Sequence, residues 1–163
     1  MTASSVASAC AEVVEIWTDG ACPVRGQRIG SWAFVVYPES GPIIERAGSD
    51  CTATSNRMEL LAVIHAMQWA KRHHRGERVV IHTDSKYVYR QLRNPEHRYD
   101  PDGDHRTLQP LWGHLDGILG IDVRPDIVWV KGHNGDGRNE RADRLAKEAR
   151  GGGAIYRERP RRK

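Results

Sequence analysis

Four carboxylates stand where the hydrophobic patterning of the chain would bring separate segments together. Asp19 closes the β-branched run at residues 13–18, and Asp84 directly follows the apolar run at residues 79–83. Such positions matter because ligands of open α/β sheets collect outside the carboxyl ends of parallel strands. Glu59 lies in the first turn of an amphipathic segment, and Asp143 lies one turn into another, beside the apolar stripe at Ala142. Like charges a few ångströms apart strongly disfavour joint ionisation unless cations neutralise them. Hard carboxylate oxygens suit Mg2+ or Mn2+, and two such ions about 4 Å apart clamp the attacking and leaving oxygens of a phosphodiester displacement. Each acid also has an ordinary structural use. Asp84 suits the N-cap of a helix, Glu59 a capping box with Asn56, Asp143 an i,i+4 pair with Lys147, and Asp19 before Gly20 a turn. Spacing alone leaves both uses open.

The elements that would position these acids follow from periodicity. Residues 13–18 (VVEIWT), 31–37 (SWAFVVY) and 43–47 (IIERA) form an antiparallel meander, the first strand stopping at the turn signal Asp19-Gly20. Leu60, Val63, Ile64 and Met67 recur at i, i+3, i+4 and i+7, which marks a helix over residues 56–73. The nearly continuous apolar run 79–83 reads as a strand buried on both faces. A helix follows to Arg93, and residues 94–106, with two prolines and four acids, form a loop. Leu108, Leu111, Trp112, Leu115 and Leu119 make a helical stripe on which Trp112 belongs to the core. Residues 127–130 are the last strand, and the glycine-rich stretch 132–137 leads into a helix striped by Ala142, Leu145, Ala146 and Ala149. Strands separated by helices imply right-handed crossovers and parallel pairing. The expected architecture is therefore α/β: a mixed five-stranded sheet, antiparallel meander plus parallel strands, flanked by helices.

A chain of 163 residues allows one such domain. Leu, Ile, Val and Phe number thirty-two, about a fifth of the chain, a fraction low enough to raise disorder. The near-balance of 25 basic and 21 acidic residues, and the clustering of the apolar ones, point instead to a folded core. No stretch approaches the ~20 apolar residues that span a bilayer, so no membrane partner is expected. The first residues, free of basic side chains and of a long apolar run, do not form a secretory signal. Cys10, Cys22 and Cys51, an odd number without metal-like spacing, suit a reducing cytoplasm. The positive charge is local: residues 150–163 carry six basic side chains against one acidic, and the rest of the chain nets −1. Any case for nucleic acid must therefore rest on specific residues. The expected layout is a disordered leader (1–11), a catalytic domain (12–150) and a flexible basic tail (151–163), with a monomer the default at this size.

Thr18-Asp19-Gly20, Asn56-Arg57-Met58-Glu59-Leu60, Thr83-Asp84-Ser85 and the run WVKGHNGDGRNERADRLA (129–146) together resemble the type 1 ribonuclease H family, in its order and at closely similar separations. The resemblance covers residues 12–150. It implies a mixed sheet and metal-dependent hydrolysis of the RNA strand of an RNA–DNA hybrid, with Mg2+ or Mn2+, two ions during catalysis, and 3′-hydroxyl and 5′-phosphate products. Asp19, Glu59, Asp84 and Asp143 match the family's four metal-binding acids, and His133 matches its mobile histidine. Gly132, Gly135 and Gly137 around His133 allow movement, and an imidazole suits proton relay near neutrality.

Cutting RNA alone requires sensing the 2′-hydroxyl. The resemblance assigns this to Thr54, Ser55 and Asn56, with Cys22 in the loop after the first strand, while Ser85 and Lys86 are placed to touch the RNA strand. Two departures stand out. The loop after the first strand reads Pro23-Val24-Arg25-Gly26-Gln27-Arg28, without the family's minor-groove asparagine, leaving Arg25 or Arg28 for phosphates. The lysine- and tryptophan-rich protrusion of well-studied members is replaced by the short acidic stretch 94–106, which removes an aromatic platform for the DNA strand. Arg157, Arg159, Arg161, Arg162 and Lys163, hung on a glycine hinge, are candidates to supply compensating phosphate contacts without fixed geometry. A solubilising tail is the ordinary alternative. The rival functions are another two-metal nuclease on the same sheet and a non-catalytic hybrid-binding module.

Overall fold

Alternation of buried and open side chains along Val13–Ala21 (β1) makes this strand the axis of the molecule, with Val14 and Ile16 turned to one face and Trp17 and Ala21 to the other. The computed structural model describes residues 12–23, 29–51, 54–74, 77–97, 106–120 and 124–161. The leader, Arg25, Arg28, Arg162 and Lys163 lie outside these, as does most of the 94–106 stretch. Gly30–Tyr37 (β2) and Ile43–Asp50 (β3) complete the antiparallel meander. Arg78–Thr83 (β4) pairs parallel with β1, and Asp126–Trp129 (β5) pairs parallel with β4.

Among the described residues the sheet has six strands rather than the five expected, in the order β5-β4-β1-β2-β3-β6. The extra strand is Ile155–Arg159 (β6), antiparallel to β3, so part of the tail expected to be flexible is sheet edge. Its alternation of Ile155, Arg157 and Arg159 on one face reads as charge from composition, but those arginines find a carboxylate on β3. Two further expectations need correction. β1 does not stop at Asp19-Gly20; it runs on to Ala21, with Asp19 paired to Ala33 and Gly20 to Trp32. β4 is not buried on both faces either: Val79, Ile81 and Thr83 are buried, while Val80 and His82 are half-covered.

Helices Ser55–His73 (α1), Lys86–Arg93 (α2) and Gln109–Leu119 (α3) enclose the larger core, in which Ile16, Met58, Leu60, Ile81, Trp112 and Leu115 are fully buried. Each such side chain contributes about 1.5–3 kcal/mol relative to exposure. Trp112 is core, as its stripe implies, and its Nε1 donates to the Tyr87 hydroxyl at 2.9 Å. Gly137–Ala149 (α4) covers the other face: Ala142, Leu145, Ala146 and Ala149 pack on Trp17, Ala33, Val35 and Ala47. Small residues on both sides let this helix lie close to the sheet, and the Ser31 hydroxyl donates to the Ala146 carbonyl at 2.5 Å.

Candidate active site

The register of the two central parallel strands sets up the site. Thr18 pairs with Thr83, so the residues that follow each, Asp19 and Asp84, leave adjacent strands at the same level. Glu59 arrives from the other side of the strand because Gly20 has no side chain. A methyl group there would lie 2.4 Å from the Glu59 nitrogen and 2.6 Å from the Met58 carbonyl carbon. Only glycine permits α1 to begin that close to β1. Asp19, Glu59 and Asp84 each offer an oxygen atom, and the three atoms all lie within 4.8 Å of one another. Asp143, on α4, adds its negative charge beside Asp19.

The ordinary uses of these acids are mostly ruled out. Thr54 caps α1, accepting from the Arg57 N–H at 3.2 Å, so Glu59 and Asn56 form no capping box. Ser85, not Asp84, caps α2, accepting from the Val88 N–H at 3.3 Å. Asp143 alone keeps its expected partner, with Lys147 Nζ donating to it at 2.6 Å.

Electrostatically the cluster is frustrated. Burial, then the charges of Asp84 and Asp143, push the Asp19 carboxyl up to about 8, against a hydrogen bond from the Gly20 backbone that lowers it. Burial and the charge of Asp19 hold Glu59 well above the ordinary carboxylate range. Among the described residues, buried Glu59 Oε2 has no hydrogen-bond partner, a cost of about 1–3 kcal/mol. A buried, unpartnered carboxylate oxygen on a residue grouped with two further carboxylates is what a divalent cation with oxygen preference would satisfy. The residues present thus fit Mg2+ or Mn2+.

The loop after β5 reaches the same point. The Val130 N–H donates to the Thr83 carbonyl at 2.9 Å, and Trp129 Nε1 donates to the Asp84 carbonyl at 3.2 Å. Gly132 then passes so near that a Cβ would stand 2.7 Å from Asp84 Oδ2. His133, exposed on this loop, is the one described non-glycine residue with positive φ, at 53°, a conformation that costs of order 1 kcal/mol or more and clusters at functional loops. Gly132→Ala is expected to displace the Asp84 carboxylate and cut kcat about 10–100-fold, with little change in KM. Steady-state kinetics with a Mg2+ titration checks this.

The other residues singled out from sequence lie at the ends of elements that carry or adjoin the acids. Thr54, Ser55 and Asn56 are exposed at the start of α1. Ser85 is half-buried as the α2 cap, and exposed Lys86 places Nζ 5.6 Å from the centre of the Trp129 ring. Cys22 is half-buried, its carbonyl accepting from Arg150 at 3.4 Å. Sequence reasoning missed Asn139. It is 2 % exposed, donates through Nδ2 to Asp84 Oδ2 at 3.1 Å, and its own Oδ1 has no partner among the described residues. Its position four residues before Asp143 puts it on the same face of α4, a signal the sequence does carry.

This strand order with an acidic crevice beside the central strands defines the ribonuclease H-like fold class. The RNase H family model matches residues 11–150. A ribonuclease H of Treponema pallidum is 38 % identical over 156 residues, covering 82 % of this chain and 88 % of the relative. Among solved structures, LC9-RNase H1, described as a type 1 RNase H with the type 2 active-site motif, superposes with a TM-score of 0.74 at 25 % identity, covering 90 % of this chain and 78 % of its own. LC11-RNase H1, solved in complex with an RNA/DNA hybrid, shares the fold with a TM-score of 0.63 at 24 % identity, covering 83 % and 95 %. The chain belongs to the RNase H family, a family of metal-dependent nucleases.

Proposed function

We propose that the protein hydrolyses the RNA strand of RNA–DNA hybrids, leaving 3′-hydroxyl and 5′-phosphate ends. The observation that carries this reading is the convergence of Asp19, Glu59 and Asp84, with one buried carboxylate oxygen that no described residue satisfies. The hybrid in the LC11-RNase H1 complex supports the choice of substrate. Asp19, Glu59, Asp84 and Asp143 would hold two Mg2+ or Mn2+ ions, which supply charge neutralisation and polarisation at the scissile phosphodiester.

The rest of the chemistry falls to the chain itself. Asn139 and Gly132 fix which oxygen of Asp84 turns into the crevice. His133, on a glycine-flanked loop that begins against Asp84, moves a proton during attack or product release. Thr54, Ser55 and Asn56, exposed at the end of α1 that carries Glu59, face the ribose 2′-hydroxyls, helped by Cys22. Ser85 and Lys86 bear on RNA phosphates, Lys86 being steadied by its cation–π contact with Trp129. All four acids come from one chain, so a monomer suffices. Cys22, a free thiol, is consistent with a reducing, cytoplasmic setting. No helix among the described residues is long and apolar enough to cross a membrane.

The test is cleavage of end-labelled RNA–DNA, RNA–RNA and DNA–DNA duplexes in Mg2+ and in Mn2+, with the product ends typed by their response to phosphatase and ligase. Cleavage confined to the RNA of the hybrid is expected. Binding of the hybrid with no turnover in either metal would leave only a binding module, and equal cutting of DNA would point to another two-metal nuclease.

A further inference from the structure

Away from the carboxylates, the face of the sheet that α4 covers carries a cleft of about 540 Å³ lined by Tyr37, Arg138, Arg141, Arg159, Pro160 and Arg161, together with Ile43 and, among the described residues, a single acid, Glu45. Arg138 and Arg161 also line an adjoining cleft of about 490 Å³ with Tyr37, Glu15 and Glu39. Four arginines thus line a cleft that Tyr37 also lines, and the deepest of the facing acids, Glu45, is already shared by Arg141 and Arg159.

The geometry points to a binding site for the phosphates of a nucleic-acid strand running on from the active site. The inference rests on the hybrid-cleaving function proposed above and names where the substrate is held outside the reacting bond. Three observations support it. The first is charge in fixed positions. Arg159 reaches Glu45 through Nε at 3.1 Å, Arg138 reaches Glu15 through Nη1 at 3.2 Å, and Arg161 gives Nη1 to the Glu39 carbonyl at 2.8 Å. Among the described residues each is held by one hydrogen bond, which leaves other N–H groups for an incoming oxyanion. Guanidinium forks favour phosphate in bidentate geometry.

The second is an aromatic surface. The Arg138 guanidinium lies 4.8 Å from the Trp17 ring centre and 4.9 Å from that of Tyr37. Arg138 sits against the edge-to-face pair of Trp17 and Tyr37, and half-buried Tyr37 gives the cleft an aromatic side on which a nucleotide stacks as well as pairs by charge.

The third is location. Arg138 and Asn139 are consecutive on α4; Asn139 holds Asp84 while Arg138 lines the cleft. On β1, Glu15 and Asp19 share a face, and four residues of strand span ~13 Å. At ~3.4 Å of rise per nucleotide, the cleft lies about four nucleotides from the scissile bond. Arg159 and Arg161 therefore contribute from an ordered edge strand and its end, in place of the unstructured tail the composition implied.

The experiment measures hybrid binding in the Asp84→Asn background, which prevents turnover, with and without Arg138→Ser plus Arg161→Ser. These substitutions leave the Glu45–Arg141–Arg159 cluster intact, and thermal melting confirms the fold. Two hybrids are compared, one of about 6 base pairs, too short to reach the cleft from the active site in both directions, and one of about 18. Affinity for the longer hybrid should fall roughly tenfold or more, and the slope of log K against log salt should flatten by about 0.9 for each phosphate no longer neutralised. The shorter hybrid should be bound as before. Equal losses on both lengths, or an unchanged salt slope, overturn the inference; a cleft that takes an acidic peptide instead gives that second result. If the double variant does not fold, Arg161→Glu alone carries the same comparison. Failure of the unaltered protein to cut hybrid would sink the functional reading, whereas normal cutting with an unchanged slope sinks only the cleft.

Discussion

Asp19→Asn is expected to abolish cleavage and, in the absence of metal, to make the protein more stable. The two effects have one cause. Asp19 is 5 % exposed and sits against Glu59, Asp84 and Asp143, so its charge is costly to hold without a cation and, on the proposed function, needed to hold one. Loss of activity should reach about 10³-fold or more, which is ~4 kcal/mol of barrier at 1.36 kcal/mol per decade. Metal-free stability should rise because one buried like charge is gone, with a melting shift of roughly 2–4 °C per kcal/mol relieved. The pH dependence gives an independent check. The folded carboxyl titrates near 8 against 3.8 for the free side chain, so its favourable contribution is complete below about pH 4 and is lost as pH rises toward 8. The metal-free parent should therefore melt lower at pH 8.5 than at pH 5.5, and Asp19→Asn should show a shallower fall, since Glu59 still carries its own raised value. Mg2+ should raise the parent's melting temperature most at alkaline pH, where it no longer competes with a bound proton. Scanning calorimetry at the two pH values, with and without Mg2+, tests this. Identical metal-free melting of parent and variant at pH 8.5 would show that the carboxylates are not crowded as described.

The same residues show what the sequence reveals and where it falls short. Asp19 and Asp84 are legible because two apolar runs end in the same way, and parallel pairing puts Thr18 opposite Thr83. Helix α1 is legible from Leu60, Val63, Ile64 and Met67, which periodicity locates without knowledge of any partner. Gly20 reads as a turn because a glycine required by a close approach looks the same in sequence as one required by a turn. The contact that decides between them is with Met58 and Glu59, thirty-eight and thirty-nine residues away. β6 escapes for a similar reason. Five residues with two arginines and a glutamate have little strand character of their own; their strand state depends on an edge of β3 and on the carboxylate of Glu45, about 110 residues earlier. Asn139 looks like one polar residue in a charged helix, although its spacing from Asp143 places it on the site face. Local pattern locates elements, and long-range charge and contact decide the rest.

Glu45 is the point at which that long-range charge has the largest effect on stability. It is 1 % exposed in the middle of β3, with Arg141 Nε and Nη2 at 2.6 and 2.7 Å, Arg159 Nε at 3.1 Å and Arg157 Nη1 at 4.0 Å. One carboxylate thereby ties α4 and β6 to the sheet, while Arg157 also pairs with Glu148 on α4. Replacing a buried charge pair whole by apolar groups is often harmless, but removing one partner leaves the other charge uncompensated and costs about 3–5 kcal/mol. Glu45→Gln should fall near the lower end, about 3 kcal/mol, because the amide keeps the shape and Arg141 retains some solvent at 21 % exposure. Melting should drop by roughly 6–12 °C at the usual 2–4 °C per kcal/mol. The loss should concentrate in β6, so amide exchange at residues 155–159 should accelerate well before that of β1. Acid should reproduce the defect. Burial alone would push the Glu45 carboxyl up, but hydrogen bonds and charge from Arg141, then Arg159, outweigh it and hold the group below its usual 4.5. A lowered folded value contributes stability above pH 4.5 that is lost as pH falls through the folded titration. The parent should thus lose β6 protection on acidification, and Glu45→Gln should show little further loss from this group over the same range. An acid profile for residues 155–159 that is equally steep in the two proteins would show that another group holds the strand. Because Arg159 lines the basic cleft, the variant should also loosen long hybrids at neutral pH, linking a stability device on one face of the sheet to substrate grip.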